Sequence, residues 1–272
     1  VTPSLAELLT TIDRLWPFAG AESWDAAGLV TGDPDAAVHR VLFTVDAVAE
    51  TIDEAIAERA DLVIAHHPLL LRGVTSVAED RYKGSLLARL IRADCALVAA
   101  HTNADVVASG TSAVLAERLG LSDIRPIVPS NDMALGLGRV GRLAEPTTVG
   151  RLARRLAAIL PPTATGVRVA GSFDDVVNTV ALCGGAGDSL LSEPVVRTAD
   201  AYITADLRHH PASESREQSK LSGGPALIDV SHWASEWLWL ETAAAELRAA
   251  HPELTVVVSE LRTDPWDFQI VQ

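Results

Sequence analysis

Apolar residues in this 272-residue chain fall alternately into short continuous runs and into stripes of helical spacing. The first stripe, Leu5, Leu8, Leu9 and Ile12, predicts a helix over residues 3–15 with Thr2 or Ser4 as its cap. Strand-like runs follow at 40–46, 62–65 and 95–100, separated by helical patterns at 50–60 and 85–93. A helix over 111–119 is stopped by Gly120, and 126–131 (Pro-Ile-Val-Pro-Ser-Asn) is punctuated and polar. The alternation then resumes with a glycine-rich strand at 135–143, a helix at 147–160 and strands at 167–170, 176–183 and 201–204. A polar helix at 211–220, a strand at 226–230, a helix over 232–250 and a strand at 255–260 complete the pattern. The helix over 232–250 is the strongest of these, with Trp233, Trp237, Leu240, Ala244 and Leu247 on one stripe.

Strand–helix–strand alternation implies crossover connections, and therefore largely parallel or mixed sheets. The expected fold class is α/β with two α/β domains, one formed by 1–125 plus 226–272 and the other by 126–225. In open sheets of this kind, ligands bind outside the carboxyl ends of the strands. Asp46, His66, His67, His101 and Asp105 all fall at such ends. A site at strand ends between the two domains is the expectation.

The sharpest local feature is Ile64-Ala65-His66-His67-Pro68, where an apolar run ends in two adjacent histidines and a proline that forbids further ladder pairing. Taken alone, the pair is either a surface-loop feature or two metal ligands, neutral imidazole being the commonest such ligand. His232 and Glu236 lie four apart at the start of a helix, so they share one face, either as an ordinary polar pair or as ligands. The functional reading joins His66, His67, Asp105, His232 and Glu236 into one cluster. Three imidazoles and two carboxylates suit two divalent ions per chain, drawn from zinc, manganese, iron, cobalt or nickel rather than magnesium or calcium. His101 reads as a catalytic or ligand-orienting residue, or as a structural histidine at a strand end. His209, His210 and Asp206 are candidates for substrate binding. Residues 184–188 (Gly-Gly-Ala-Gly-Asp) form either an anion-binding loop or a tight turn.

Charge and cysteine content narrow the partners. With 22 basic and 36 acidic residues the formal charge is −14, which repels nucleic acid and anionic membranes at long range. No apolar run approaches the ~20 residues of a membrane span. The start of the chain carries no basic region followed by an apolar core, so no secretory signal is expected. Cys95 and Cys183 each sit in an apolar run and read as core residues of a reducing, cytoplasmic environment.

Several of these stretches together resemble the family of GTP cyclohydrolase 1 type 2 homologues, the NIF-three-like proteins with a dinuclear metal centre. The resemblance rests on His66-His67-Pro68, His101-Thr102-Asn103-x-Asp105 and His232-x-x-x-Glu236. Trp24-Asp25-x-x-Gly28-Leu29, Thr44-Val45-Asp46, the glycine run after Cys183 and Ile203-Thr204-Ala205-Asp206 add to it. It implies a two-domain α/β subunit, a two-metal site held by His66, His67, Asp105, His232 and Glu236, and a toroidal homohexamer. It also implies a metal-dependent hydrolase acting on a small molecule or nucleotide through a metal-bound hydroxide. The other reading is a non-catalytic, metal-binding regulatory or scaffold protein. Ser231 stands where the family usually has glycine, Ala205 departs from the usual Thr-Gly-Asp or Thr-Gly-Glu, and Ala26-Ala27 replaces the usual asparagine. None of these departures touches a ligand.

Overall fold

The computed structural model of the chain describes residues 2–130 and 135–271, so Asn131, the last residue of the punctuated segment, lies outside it. In chain order the elements are α1 (Leu5–Leu15), β1 (Gly28–Thr31), β2 (Arg40–Thr44), α2 (Ala49–Ala57), β3 (Leu62–Ala65), α3 (Tyr82–Arg92), β4 (Ala96–Ala99) and α4 (Thr102–Asp105). Next come α5 (Thr111–Arg118), β5 (Leu121–Arg125), β6 (Val128–Pro129), β7 (Gly136–Leu137), β8 (Arg139–Thr148), α6 (Val149–Ile159), β9 (Arg168–Ala170) and β10 (Val176–Ala186). The remainder are α7 (Pro194–Arg197), β11 (Ala201–Ala205), α8 (His209–Ser222), β12 (Ala226–Val230), α9 (His232–Ala250) and β13 (Thr255–Val258).

Contacts divide the chain into two compact units, Val1–Ala104 with Leu240–Thr263, and Asp105–Trp239 with Asp264–Gln272. The sequence pattern puts the return to the first domain at Ala226. The structure puts it later, because β12 pairs in parallel with β11 and cannot leave that sheet.

The first unit is built on a five-stranded sheet in the order β1-β4-β3-β2-β13. Only β1 runs antiparallel to its neighbour, and the other pairings are parallel. Leu42, Val63 and Leu97 of three adjacent strands pack with Ile52 of α2 and with Leu86 and Leu90 of α3. At its start Ser4 caps α1 in a reciprocal box with Glu7, the Ser4 amide lying 2.8 Å from a Glu7 carboxylate oxygen. Such a cap stabilises by about 1 kcal/mol.

The second unit holds a six-stranded mixed sheet in the order β5-β8-β10-β11-β12-β9, with β10, β11 and β12 parallel. Its core includes Val140, Ala181, Tyr202 and Leu227. The Tyr202 hydroxyl donates to the Gly187 carbonyl at 2.8 Å, and burial raises its pKa well above 10. Residues of α9 up to Trp239 belong to this unit and the rest to the first. The apolar surface of α9 is wider than a single stripe. Trp239 and Ala243, off that stripe, are fully buried. Among the described residues no helix is long and apolar enough to cross a membrane. Cys95 and Cys183 are both free thiols, and burial is the first reason each is pushed up to about 12.

Candidate metal centre

In the first unit, three neighbouring parallel strands end level with one another. Thr44, Ala65 and Ala99 occupy matching positions at the ends of β2, β3 and β4. Asp46, His66-His67 and His101 therefore leave the sheet side by side. Their proximity follows from register, the arrangement by which parallel sheets create crevices at their carboxyl edge.

The three imidazoles of this unit gather closely. His66, His67 and His101 each offer a ligand atom within 4.8 Å of the others. Ring centroids are 5.1 Å apart for His66 and His67, 5.2 Å for His66 and His101, and 5.6 Å for His67 and His101. His66 is fully buried, with Nδ1 2.8 Å from the Ala100 carbonyl. His67 directs Nδ1 to Asp46 Oδ1 at 2.7 Å, and His101 directs Nδ1 to Asp25 Oδ1 at 2.8 Å. A carbonyl or carboxylate oxygen can only accept, so each Nδ1 donates. In the neutral ring the lone pair then lies on Nε2.

Asp25 is the pivot of the His101 side. Its carboxylate also accepts from the Thr102 amide at 3.0 Å, from the Ala26 amide at 2.7 Å and from the Thr102 hydroxyl. Burial penalises its charge, but the hydrogen bonds from Thr102 and His101 outweigh burial and hold its pKa below the usual range. Buried Asn103 steadies the same turn, accepting from the His101 amide at 2.9 Å and donating to the Trp16 carbonyl at 2.8 Å.

The second unit repeats the device. Ala186, Ala205 and Val230 are aligned across β10, β11 and β12, so Gly187-Asp188, Asp206 and His232 emerge together. His232 directs Nδ1 to Asp206 Oδ2 at 2.7 Å and has Nε2 3.0 Å from Glu236 Oε1. Asp206 holds a left-handed φ of 56°, an uncommon conformation that a short acidic side chain tolerates. Burial disfavours a charged His232, yet Glu236 and Asp206 together raise its pKa well above 6.5. Gly185, with φ +68°, brings its backbone against Glu236, and its amide donates to the Ser235 hydroxyl at 2.9 Å. The stretch read from sequence as an anion-binding loop or a tight turn begins as the end of β10, and its Gly185 is packed against a candidate ligand pair. Asp105 of this unit accepts from the Thr111 hydroxyl.

His209 and His210 open the exposed first turn of α8, their rings 5.3 Å apart. His210 borders a groove of about 480 Å³ with Asp188, Arg197 and Glu214. Asp206, a substrate candidate from sequence, makes its hydrogen bond to His232. Asp25 carried no role in the sequence reading beyond its place in a resemblance motif. Its partner His101 lies 76 positions away, a separation that local pattern does not register.

A model of the family described as Duf34/NIF3 (NGG1p interacting factor 3) matches residues 3–265. A protein of Streptomyces coelicolor named GTP cyclohydrolase 1 type 2 homolog is 50% identical, over 98% of this chain and 95% of its own length. One of the same name from Mycobacterium tuberculosis is 34% identical, over 97% of each. Among solved structures, Staphylococcus aureus protein SA1388 is similar with a TM-score of 0.88 and 28% identity, covering 99% of this chain and 100% of that one. The Bacillus cereus protein related to NIF3, at 23% identity and a TM-score of 0.87, supports the fold alone.

Proposed function

The chain belongs to the Duf34/NIF3 family, and from that premise we propose a cytoplasmic, metal-dependent hydrolase acting on a small molecule or nucleotide. Two divalent ions per chain are held by His66, His67, Asp105, His232 and Glu236, with His101 as a further ligand. One observation carries this reading. All four imidazoles, in both units, have Nδ1 bound to a carbonyl or carboxylate acceptor. This is the outer support by which proteins fix the tautomer and plane of metal-bound histidines. A set of imidazoles and carboxylates without thiolate suits zinc, manganese, iron, cobalt or nickel.

Two such ions, when bound, would supply Lewis acidity that lowers the pKa of a water to ~7 and stabilises charge developing in a displacement. The protein's own groups do the positioning. Asp46, Asp25 and Asp206 hold the rings of His67, His101 and His232. This reading moves Asp206 from substrate contact to ligand support, and leaves His209 and His210 as the proposed substrate contacts. The subunits assemble as a homohexamer, which light scattering at micromolar concentration tests directly. A monomer mass contradicts it.

The deciding experiment offers metal-loaded protein a panel of nucleotides, phosphoesters and cyclic amides. Turnover that His66→Ala abolishes supports the hydrolase. Full metal content with no turnover across the panel shifts the assignment to a regulatory or scaffold protein.

A further inference from the structure

A tryptophan that is 59% exposed stands against the histidine cluster of the first unit. The Trp24 indole meets the His101 imidazole edge-on, with ring centroids 5.9 Å apart and planes at 79°. An indole left in water forgoes the burial that normally justifies so large an apolar side chain. The loop beneath it is pinned. The Glu22 amide donates to the Thr102 hydroxyl at 2.9 Å, and the Asp25 amide to the Glu22 carbonyl at 2.9 Å. The Asp25 side chain is wholly buried under its bonds to His101, Thr102 and Ala26. One carboxylate therefore fixes both the His101 ring and the segment that carries Trp24. Glu22 and Ser23, just before the indole, are exposed and polar, so the ring rises from a wet rim rather than from a broad apolar face.

A rigid, solvent-facing aromatic beside a polar cluster matches a ligand with one planar ring and one polar reacting end. We propose that Trp24 is the stacking platform for a planar heteroaromatic ring of the ligand that reaches the His66–His67–His101 cluster. The proposal deepens the hydrolase reading and rests on it for what the cluster does. Stacking on an indole face tolerates many ring identities, because every such ring has a π face. Trp24 thus selects for planarity and leaves the choice of ring to other contacts.

Calorimetry on the full chain tests this with adenosine monophosphate as probe and ribose 5-phosphate as the ring-free control, on metal-loaded and chelator-treated samples. The expected result is that Trp24→Ala weakens adenosine monophosphate binding about 5- to 150-fold, the range for removing one base–aromatic stack. Trp24→Phe should retain most of the binding, and ribose 5-phosphate should bind wild type and variants alike. Unchanged adenosine monophosphate affinity in Trp24→Ala overturns the proposal. So does an equal loss for ribose 5-phosphate, or no preference of the wild type for the ring-bearing probe. A Trp24→Ala protein whose only change is a smaller mass by light scattering assigns the indole to contacts between copies, and overturns it too. Metal content on the same samples separates the two readings. A Trp24-dependent ring preference in protein that takes up no metal keeps the platform and removes the hydrolase. Full metal content with no Trp24 dependence removes the platform alone.

Discussion

Gly185 and Glu236 are packed so closely that a side chain at position 185 has no room: an added Cβ would meet Oε1 of Glu236 and come within 3.2 Å of Nε2 of His232. The φ of +68° at Gly185 independently disfavours any residue but glycine. Gly185→Ala should therefore disturb the His232–Glu236 pair and lower metal affinity. Gly166 provides the control, since it has a φ of +59° and open space where its Cβ would be. Both substitutions carry a backbone cost of about 1–2 kcal/mol. Only Gly185→Ala should change metal affinity, and equal affinity in the two variants would show the contact to be incidental.

His232 gives the metal-free protein a defined dependence on pH. Its folded pKa lies well above its ordinary 6.5, against the effect of burial, because of Glu236 and Asp206. A raised folded pKa contributes stability that is complete below the unfolded value of ~6.5 and fades as pH rises through the folded value. Metal uptake needs the neutral ring, so loading at neutral pH should release a proton from this site, and acidification towards pH ~5 should expel metal. Calorimetric titration in buffers of different ionisation enthalpy measures the release. His232→Gln should release about one proton fewer.

Asp46 tests the supporting layer separately from the ligands. It holds Nδ1 of His67 at 2.7 Å and also accepts from the Thr263 hydroxyl. Asp46→Ala leaves every proposed ligand in place but frees that ring. Metal affinity should fall by about 10–100-fold, the usual cost of losing such a partner. An unchanged affinity would mean that the His67–Asp46 bond serves folding only.

Carboxylates and imidazoles should differ in what their removal does. A carboxylate has two oxygens and can bridge, whereas an imidazole serves one ion. Asp105→Ala or Glu236→Ala is expected to lose both ions, and His67→Ala or His232→Ala to empty one position. Trp239→Ala, next to this set on α9, should cost about 3–5 kcal/mol of stability, because that indole is fully buried. Trp233→Ala and Trp237→Ala should weaken metal binding indirectly by loosening the first turns of α9. Metal stoichiometry beside helix content for each variant separates these effects.

Much of the order of elements was legible because apolar runs and helical stripes report burial directly. Ser4, α9 and the strands ending at Ala65 and Val230 stand where the pattern puts them. The pattern does not show β1, a short strand without a continuous apolar run that starts at Gly28 with φ +116°. Nor does it show β5, where only Leu121 of the five residues is buried. At the centre, the histidines were visible as types in a motif. Their pairing with carboxylates is not, because Asp46 and Asp206 meet His67 and His232 only after parallel strands align their ends, and Asp25 meets His101 beside the antiparallel β1–β4 pair.

Elemental analysis of protein reloaded in metal-rich, chelator-free buffer addresses the proposed dinuclear centre most directly. About two transition-metal ions per chain should be retained after desalting, falling when His66, Asp105 or Glu236 is replaced by alanine. Retention of no transition metal by the folded wild-type protein, or full retention by all three variants, would contradict the assignment.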